Sequence, residues 1–465
     1  MQGARNSLSK PKVFIIACGV LLFIIFIVGP VHPQLSIEGS RSLAVFFLCV
    51  SFWITAWIPL GITSMLGMAL IPLLGIMEAQ EAFAFFGDRA VFFILGALML
   101  AAAIYKTGLG ARIALLMLIR FDHKPRKIVL GIMLSAALLS CIMPEHAVAA
   151  MLFPIVMEIA RSLGLKAGES NMGRAMFLAL AWGAIIGGIT TYLGGARNIL
   201  AVGLLEKNYG LSIGFFEWII YAFPIPLVII FFAYWVIIRF FKPELKDASD
   251  AYASLADKVA SMGAAGVPEK KLIIILIAVI SSWLFLSGEV NIAVTAMLGG
   301  VAIFIFKVIG WEELVTYVNW GVILMYGGAI VIATSLARSG AAEWIAAMIL
   351  DSVPLNDFMF LILIAVLTKL ITEGISNVAA VAIVLPIAYS TGSFIGVNPI
   401  VITLLVALSG GLAFCLPMGT PPNAIAFASG YYRVSDVMKA GIMLNIFSII
   451  VLVIVTKYYW PLVGL

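Results

Sequence analysis

Two stretches of an otherwise apolar chain carry side chains that could bind a small ion. The first, "SCIMPEHAVAAMLFPI" at 140–155, contains an acid and an imidazole, Glu145 and His146, directly after a proline. The second, "TEGISNVAAVAIVLPI" at 372–387, contains Asn377 after a serine. Carboxylates bind cations, whereas amide, hydroxyl and imidazole groups can donate hydrogen bonds to anions. These side chains predict reversible ion binding, and the apolar segments on either side must position them.

The composition indicates that these segments lie in a membrane. The chain has 465 residues, of which 63% are hydrophobic and only 11% are charged, and its mean hydropathy is +1.15. Soluble domains have about one quarter charged residues. Apolar runs of about 20 residues, long enough to cross the hydrocarbon core, recur along the chain, and they do not alternate as barrel strands would. The sequence predicts an all-α polytopic membrane protein.

Eleven crossings are predicted, and lysine and arginine set their orientation. Most of the 28 lysines and arginines fall in loops that face inward if the N-terminus is inside, as the positive-inside rule requires. We expect a multi-pass protein of a bacterial or archaeal inner membrane, surrounded by lipid, with a cytoplasmic N-terminus and an outer C-terminus. The formal charge of +5 reflects this orientation, so no nucleic-acid partner is expected. The crossings are centred near residues 21, 50, 68, 97, 182, 229, 280, 299, 325, 406 and 448.

Two features of the chain occur twice at nearly the same offset. Aligning Pro154 with Pro386 gives an offset of 232 residues, and aligning Asn198 with Asn423, in two glycine-containing breaks, gives 225. We predict inverted-topology repeats, which are typical of secondary transporters. The predicted parts are a first repeat (1–241) with a re-entrant hairpin (127–161) and a broken helix (173–206), a cytoplasmic linker with a surface helix (242–271), and a second repeat (272–465) with a hairpin (357–390) and a broken helix (398–430).

The interrupted backbone gives these repeats a physical means of binding ions. Irregular backbone at membrane depth is tolerated only inside protein or beside a watery cavity. Helix N-termini there present free N–H groups to an anion, and C-terminal ends present carbonyls to a cation. A hairpin tip and a broken helix in each repeat would therefore form two ion clamps near the membrane midplane.

At these positions the sequence resembles the divalent anion/sodium symporter (DASS) family, which carries di- and tricarboxylates or sulfate. That family has a Ser-Asn-Thr motif at each hairpin tip and a Gly-Thr-Pro-Pro-Asn type of loop in each broken helix. The second half matches at 376–378 and 419–423, and Glu373 matches a family glutamate before the tip. The resemblance implies a homodimer with a fixed scaffold and an elevator-type transport domain, a substrate carboxylate at each tip, and a sodium ion behind each clamp.

The departures from the family pattern involve charged residues. Pro144, Glu145 and His146 stand in place of the first Ser-Asn-Thr, Val378 replaces the second threonine, and Arg197 stands where proline is usual. Arg197 either lies in the loop, where its planar fork suits a carboxylate, or snorkels at the outer interface. His146 is either a packed tip residue or a switchable cation near neutral pH. Glu145 is either a sodium ligand or a proton carrier.

Lys369 is a further charge inside a hydrophobic span, four residues before Glu373 and on the same helix face. The two residues either form a structural ion pair, or the ammonium group approaches the second cation site in place of sodium. The residues predicted to hold or replace an ion are Glu145, His146, Lys369, Thr372 and Glu373. The residues predicted to bind substrate are Glu145, His146, Thr190, Arg197, Asn198, Ser376, Asn377, Val378, Gly419, Thr420, Pro421, Pro422 and Asn423.

The predicted function is transport of a small dianion. Fixed cations in the site would hinder return of the empty carrier, so we rank cation-independent exchange of C4 or C5 dicarboxylates, such as succinate, malate or 2-oxoglutarate, first. Sodium- or proton-coupled symport of dicarboxylate, citrate or sulfate ranks second, and an anion channel is a remote alternative. The sequence contains no nucleophile elbow, P-loop or zinc motif of the kind that would indicate an enzyme. No cofactor is predicted, apart from sodium ions under the symport alternative.

Overall fold

The chain is helical throughout the part that a computed structural model describes, which comprises residues 10–29, 32–286, 289–352 and 356–465. No strand occurs in these ranges. The first half contains α1 (Lys10–Val28), α2 (Ile37–Thr55), α3 (Leu60–Leu73), α4 (Ala79–Ala84), α5 (Arg89–Thr107), α6 (Leu109–Leu118), α7 (Pro125–Ser140), α8 (Glu145–Ser162), α9 (Asn171–Gly187), α10 (Ala196–Tyr209), α11 (Phe215–Ala222) and α12 (Pro224–Phe240).

The second half begins with a short charged helix. It contains α13 (Ser249–Ser261), α14 (Val267–Phe285), α15 (Ile292–Ile305), α16 (Trp311–Tyr317), α17 (Trp320–Arg338), α18 (Ala341–Ser352), α19 (Asp357–Gly374), α20 (Asn377–Ile395), α21 (Pro399–Gly410), α22 (Pro421–Phe427) and α23 (Val434–Ile454). Single turns of tighter or wider helix occur at Phe85–Gly87, Tyr192–Gly194, Val455–Tyr459 and Trp460–Val463.

The predicted polytopic membrane architecture is confirmed, although few helices have the length of a complete crossing. Within the described ranges, six helices are long and apolar enough to span a membrane, or seven if the bent pair α11–α12 is one span. Each of the eleven predicted centres falls inside a helix. However, α9 has 17 residues and α21 has 12, fewer than the roughly 20 of a straight crossing. Both are short because they end at the predicted breaks, and the count of eleven stays a prediction.

Both predicted hairpins correspond to pairs of antiparallel helices with very short turns. In the first, α7 ends at Ser140 and α8 begins at Glu145 after a proline in extended conformation. In the second, α19 ends at Gly374 and α20 begins at Asn377. Proline fixes an extended backbone and lacks an N–H group, so it suits the position before a helix. The two tips therefore place Glu145 and Asn377 at corresponding helix N-termini.

An irregular segment separates two helices within each range that was predicted to be a broken helix. Residues 188–195 separate α9 from α10, and residues 411–420 separate α21 from α22. The predicted surface helix of the linker is α13, which packs on α8 and α6. The linker is shorter than the predicted 242–271, because α14 begins at Val267.

The hairpins and broken helices pack together as one group. The main contacts of α7 are with α9, those of α19 and α20 are with α21, and α22 packs on both α8 and α9. In a second group α1 packs on α2, α3 on α17, and α5 on α15. Contacts of α17 with α10 and α20 join the two groups. The hairpin tips thus meet in the interior of the first group, where the candidate site lies.

Candidate functional site

The two breaks have the same internal hydrogen bonds. In the first, the Asn198 Nδ2 donates to the carbonyls 10 and 7 residues earlier in the chain, at 3.0 and 2.8 Å. In the second, the Asn423 Nδ2 donates to the carbonyls at the same two separations, at 3.0 and 3.3 Å. Both asparagines are buried. An amide donor satisfies carbonyls that the interrupted helix leaves without partners, so the offset of 225 residues relates two equivalent backbone clamps.

In the first clamp, an arginine and a glutamate form a buried ion pair. The Arg197 Nη1 donates to the Glu145 Oε1 at 3.0 Å, and the two residues are 2% and 4% exposed. Arg197 lies in the first turn of α10, and Glu145 lies at the N-terminus of α8, where the helix dipole favours a carboxylate. The structure therefore places Arg197 in the loop and not at the outer interface.

The ion pair uses only part of the hydrogen-bonding capacity of its two side chains. Among the described residues, the Arg197 Nε and Nη2 and the Glu145 Oε2 are buried without a partner. The guanidinium group lies against Gly411 in the break of the second half, where a Cβ atom would overlap it. Buried N–H groups of a guanidinium nearly always have acceptors. The Nε–Nη2 edge of Arg197 thus carries two hydrogen-bond donors that no described residue uses.

The tip of the second hairpin reaches the same guanidinium group through Asn377. The Thr372 Oγ1 donates its single proton to the Gly410 carbonyl at 2.7 Å, so it can only accept from the Asn377 amide. In the amide orientation that agrees with this, the Asn377 Nδ2 donates to the Gly419 carbonyl at 2.7 Å and to Thr372 at 2.8 Å. The Asn377 Oδ1 then accepts from the Arg197 Nη1 at 3.2 Å. The two tips and both breaks therefore meet at Arg197.

In the second clamp, Lys369 contacts the break directly. Its Nζ donates to the Leu412 carbonyl, just beyond the end of α21, and it lies 5.1 Å from the centre of the Phe414 ring. The side chain is 2% exposed. No ion pair within 4.0 Å joins it to Glu373, although both residues are described. An ammonium group is therefore placed on a helix-end carbonyl, the kind of group that can also coordinate a sodium ion.

Glu373 binds the N–H groups that follow in the same break. Its carboxylate accepts from the backbone N–H of Phe414 at 2.8 Å, of Cys415 at 3.1 Å and of Leu416 at 3.0 Å. The Asn445 Nδ2, from α23, donates to it at 2.6 Å. These donors together satisfy both oxygens of the carboxylate. One turn of α19 thus supplies a cation for the carbonyl and an anion for the N–H groups of the second break.

The other predicted residues lie around these contacts without joining them. The His146 side chain is half-buried and has no hydrogen bond or ion pair within the described part of the chain. The Thr420 Oγ1 accepts from the Asn423 N–H at 3.3 Å and so caps α22. Of the remaining predicted site residues, Thr190 and Pro422 are buried, Ser376 and Val378 are half-buried, and Pro421 is exposed.

Three contributors to the site were not identified from the sequence. Asn445 is a single amide in an apolar crossing, which is a signal for a functional or structural role. The Thr191 Oγ1 donates to the Cys141 carbonyl at 2.7 Å and joins the first break to the first tip. Gly411 gives the Arg197 side chain its space, but nothing in the sequence distinguishes it from the other 41 glycines.

Solved structures of two transporters share this fold. The chain is similar to MtrF of Neisseria gonorrhoeae, with a TM-score of 0.54 and 14% identity over 97% of this chain and 95% of MtrF. It is also similar to the YdaH transporter of Alcanivorax borkumensis, with a TM-score of 0.53 and 13% identity over 98% of each chain. At these identities the likeness concerns the fold alone.

Sequence relatives cover nearly the whole chain. The sodium-dependent dicarboxylate transporter SdcS of Staphylococcus saprophyticus is 28% identical over 471 residues, which are 95% of this chain and 90% of SdcS. SdcS of Staphylococcus aureus is 28% identical over 473 residues, 96% of this chain and 90% of the relative. The model of the sodium:sulfate symporter transmembrane region matches residues 10–465. The chain is therefore a membrane transporter and not an enzyme, and it belongs to the sodium:sulfate symporter family, the divalent anion/sodium symporters that its tips and breaks resemble.

Proposed function

We propose that the protein exchanges C4 or C5 dicarboxylates, such as succinate, malate or 2-oxoglutarate, across the membrane without a requirement for sodium. The relatives named above are dicarboxylate transporters, which supports the substrate class. The observation that carries the sodium independence is the hydrogen bond from the Lys369 Nζ to the Leu412 carbonyl.

The residues of the second clamp do not fit a sodium ion. Sodium would need oxygen ligands at the helix-end carbonyl, but the ammonium group of Lys369 occupies that position. Its positive charge would also repel the ion. Lys369 takes the position at which a sodium ion would bring its charge in a symporter.

The first clamp offers the carboxylate-binding group. The buried Arg197 has a free edge formed by Nε and Nη2, and a guanidinium edge binds a carboxylate through two parallel hydrogen bonds. Asn377 from the second tip lies beside it. One carboxylate of the substrate would bind there, and the polar groups of the second tip would receive the other.

A fixed cation favours exchange over net uptake. In a symporter, the sodium ion leaves with the substrate, so the empty site no longer contains the charge of that ion. Lys369 is part of the protein, so its charge stays in the empty site. An unmatched charge at membrane depth costs about 2.5–3.5 kcal/mol. The site therefore returns most readily when another dianion occupies it. Sodium-coupled symport is the second candidate, because the relatives named above are sodium-dependent.

We further propose that the group of hairpins and broken helices moves as an elevator against the scaffold in a homodimer. The main contacts of α7–α10 and α19–α22 are with one another, and those of α1–α3, α5 and α15 are among themselves and with α17, which supports two bodies. The two halves would be inverted repeats, with the N-terminus and α13 cytoplasmic and the C-terminus outside. The distribution of the 28 lysines and arginines supports this orientation.

The test is uptake of labelled succinate into proteoliposomes that contain the purified protein. Vesicles are loaded with unlabelled succinate or left without it, and sodium, potassium or choline is present outside. We expect uptake that requires internal succinate and is equal in the three cations. Uptake that requires sodium and ignores internal succinate would establish the symport alternative, and unitary currents in bilayer recordings would indicate a channel.

A further inference from the structure

The ion pair of the first clamp places a carboxylate of the protein on the group that would bind the substrate carboxylate. The Glu145 Oε1 accepts from the Arg197 Nη1, while the other oxygen of Glu145 and the Nε–Nη2 edge of Arg197 have no partner among the described residues. Neither residue has enough exposure for water to compensate its charge. The protein thus contains an internal anion next to the position at which we place the external one.

Two carboxylates on one guanidinium group cannot both keep their charge without cost. A second negative charge within about 4–6 Å strongly disfavours ionisation of a carboxyl group, and burial adds to this effect. The substrate carries two charges, whereas Arg197 carries one. Since the walls of the site are buried, the added charge must be compensated within the site or by an ion that enters with the substrate.

We propose that Glu145 takes up one proton when a dicarboxylate binds and releases it when the dicarboxylate leaves. This inference rests on the proposed function, because it needs a carboxylate at Arg197. The proton comes from the solution on the side where the substrate enters. It neutralises the Glu145 carboxylate to a carboxylic acid, which leaves the Arg197 charge to the substrate. On release at the other side, the proton returns to solution and the Glu145–Arg197 ion pair re-forms.

In the part of the chain that the structure describes, Arg197 is the one charged side chain within ion-pair distance of Glu145. His146 is next to it in sequence but makes no bond to it, and the Tyr326 hydroxyl from α17 accepts from the Leu200 N–H. On the helices that pack against α8, several other charges pair elsewhere: Lys258 with Glu158, Arg112 with Glu269, Lys106 with Glu313, and Arg174 with Asp436.

The experiment is titration calorimetry of the purified full-length protein with succinate in sodium-free solution. Binding is measured in two buffers that differ in ionisation enthalpy, so that the difference in heat gives the number of protons taken up. Between about pH 7 and about pH 8.5 both succinate carboxyls are ionised. We expect uptake of about one proton per succinate, and an apparent Kd that falls up to about tenfold for each unit by which the pH is lowered.

Variants assign the proton to Glu145. In Glu145→Gln the group cannot titrate, so binding is expected without proton uptake and with a Kd that is independent of pH. Arg197→Gln removes the partner that keeps Glu145 ionised, so any remaining binding is also expected to proceed without proton uptake. Glu158→Gln changes an acid on the same helix that pairs with Lys258 outside the site, and it is expected to behave as the wild type.

Three results separate the inference from the proposed function. Succinate binding by the wild type without proton uptake would overturn the inference and leave dicarboxylate exchange intact. Proton uptake that persists in Glu145→Gln would assign the proton to another group, with His146 the first to examine. A wild-type protein that binds no dicarboxylate would refute the proposed function itself, and the inference with it.

Discussion

Replacement of Lys369 by alanine tests the central element of the proposed exchange mechanism. The variant removes the ammonium group from the Leu412 carbonyl and leaves Glu373 with its donors from the backbone and from Asn445. Glu373 therefore stays satisfied, and the Leu412 carbonyl loses its partner. A buried acceptor without a partner costs about 1–3 kcal/mol, so we expect the variant to fold with reduced stability.

The effect on transport should be larger than the effect on stability. Without Lys369, one negative charge of the loaded site has no compensating cation. An unmatched charge at membrane depth costs about 2.5–3.5 kcal/mol, and about 1.4 kcal/mol corresponds to a factor of ten in rate. Exchange of succinate in sodium-free medium should therefore fall roughly a hundredfold. Sodium ions should restore part of it, because the Leu412 carbonyl then becomes available as a ligand.

The assay is succinate exchange in proteoliposomes with sodium or choline, together with thermal unfolding in the same salts. Lys271→Ala is the matched control, because the Lys271 Nζ also donates to a helix-end carbonyl, that of Phe306 at 2.9 Å, but at an exposed position. This control should exchange as the wild type does in both salts. Normal sodium-free exchange by Lys369→Ala would refute the reasoning and leave Lys369 a structural residue.

Three further variants test the geometry of the two clamps. Arg197→Gln should destabilise the protein by about 3–5 kcal/mol, because the change leaves Glu145 as an unmatched buried charge. The double variant Arg197→Gln with Glu145→Gln should lose much less stability, because neither charge remains. If thermal unfolding showed that the losses of the two single variants simply add in the double variant, the ion pair would be contradicted. Gly411→Ala should lower the free energy of unfolding by about 1–3 kcal/mol and weaken succinate binding, because the added methyl group displaces the guanidinium group of Arg197. The control Gly87→Ala should change neither quantity, because its methyl group meets no atom within 4 Å. Asn423→Ala should lower the unfolding temperature by removing two buried hydrogen bonds, at about 1–3 kcal/mol; an unchanged unfolding temperature would show that these bonds are dispensable.

The large elements of the fold could be predicted because apolar length, proline and glycine leave direct marks in the sequence. The two hairpins were predicted from repeated segments that align Pro154 with Pro386, and their tip residues Glu145 and Asn377 are helix N-termini in the structure. The two breaks were predicted from Asn198 and Asn423, and both amides bridge their breaks with the same spacing. A local interruption of an apolar run can be recognised without knowledge of the packing around it.

The partners of the charged residues could not be predicted in the same way. From the sequence, Arg197 could lie either in the site or at the outer interface, because its depth in the membrane depends on where α9 ends and α10 begins. It also allowed a direct ion pair between Lys369 and Glu373, which share a helix face. In the structure the break of the second half supplies closer partners for both, the Leu412 carbonyl and the N–H groups from residue 414 onward. Such contacts join segments about 40 residues apart, and helical spacing does not report them.

The unusual residues of the two halves therefore occur as complementary pairs and not as independent substitutions. Without Arg197, Glu145 at the first tip would be an unmatched buried charge, and without Glu145 the same would hold for Arg197. The offsets of the two repeats make Asn377 the counterpart of Glu145, and Pro422 the counterpart of Arg197, so the second half has neither charge. Its own pair, Lys369 and Glu373, instead satisfies the break from the preceding helix. In the second clamp both charged groups have partners and the Asn445 Oδ1 is left without one among the described residues, whereas the ion pair of the first clamp retains two free donors and a free acceptor. This asymmetry is the physical reason to expect substrate and proton at the first clamp and a fixed charge at the second.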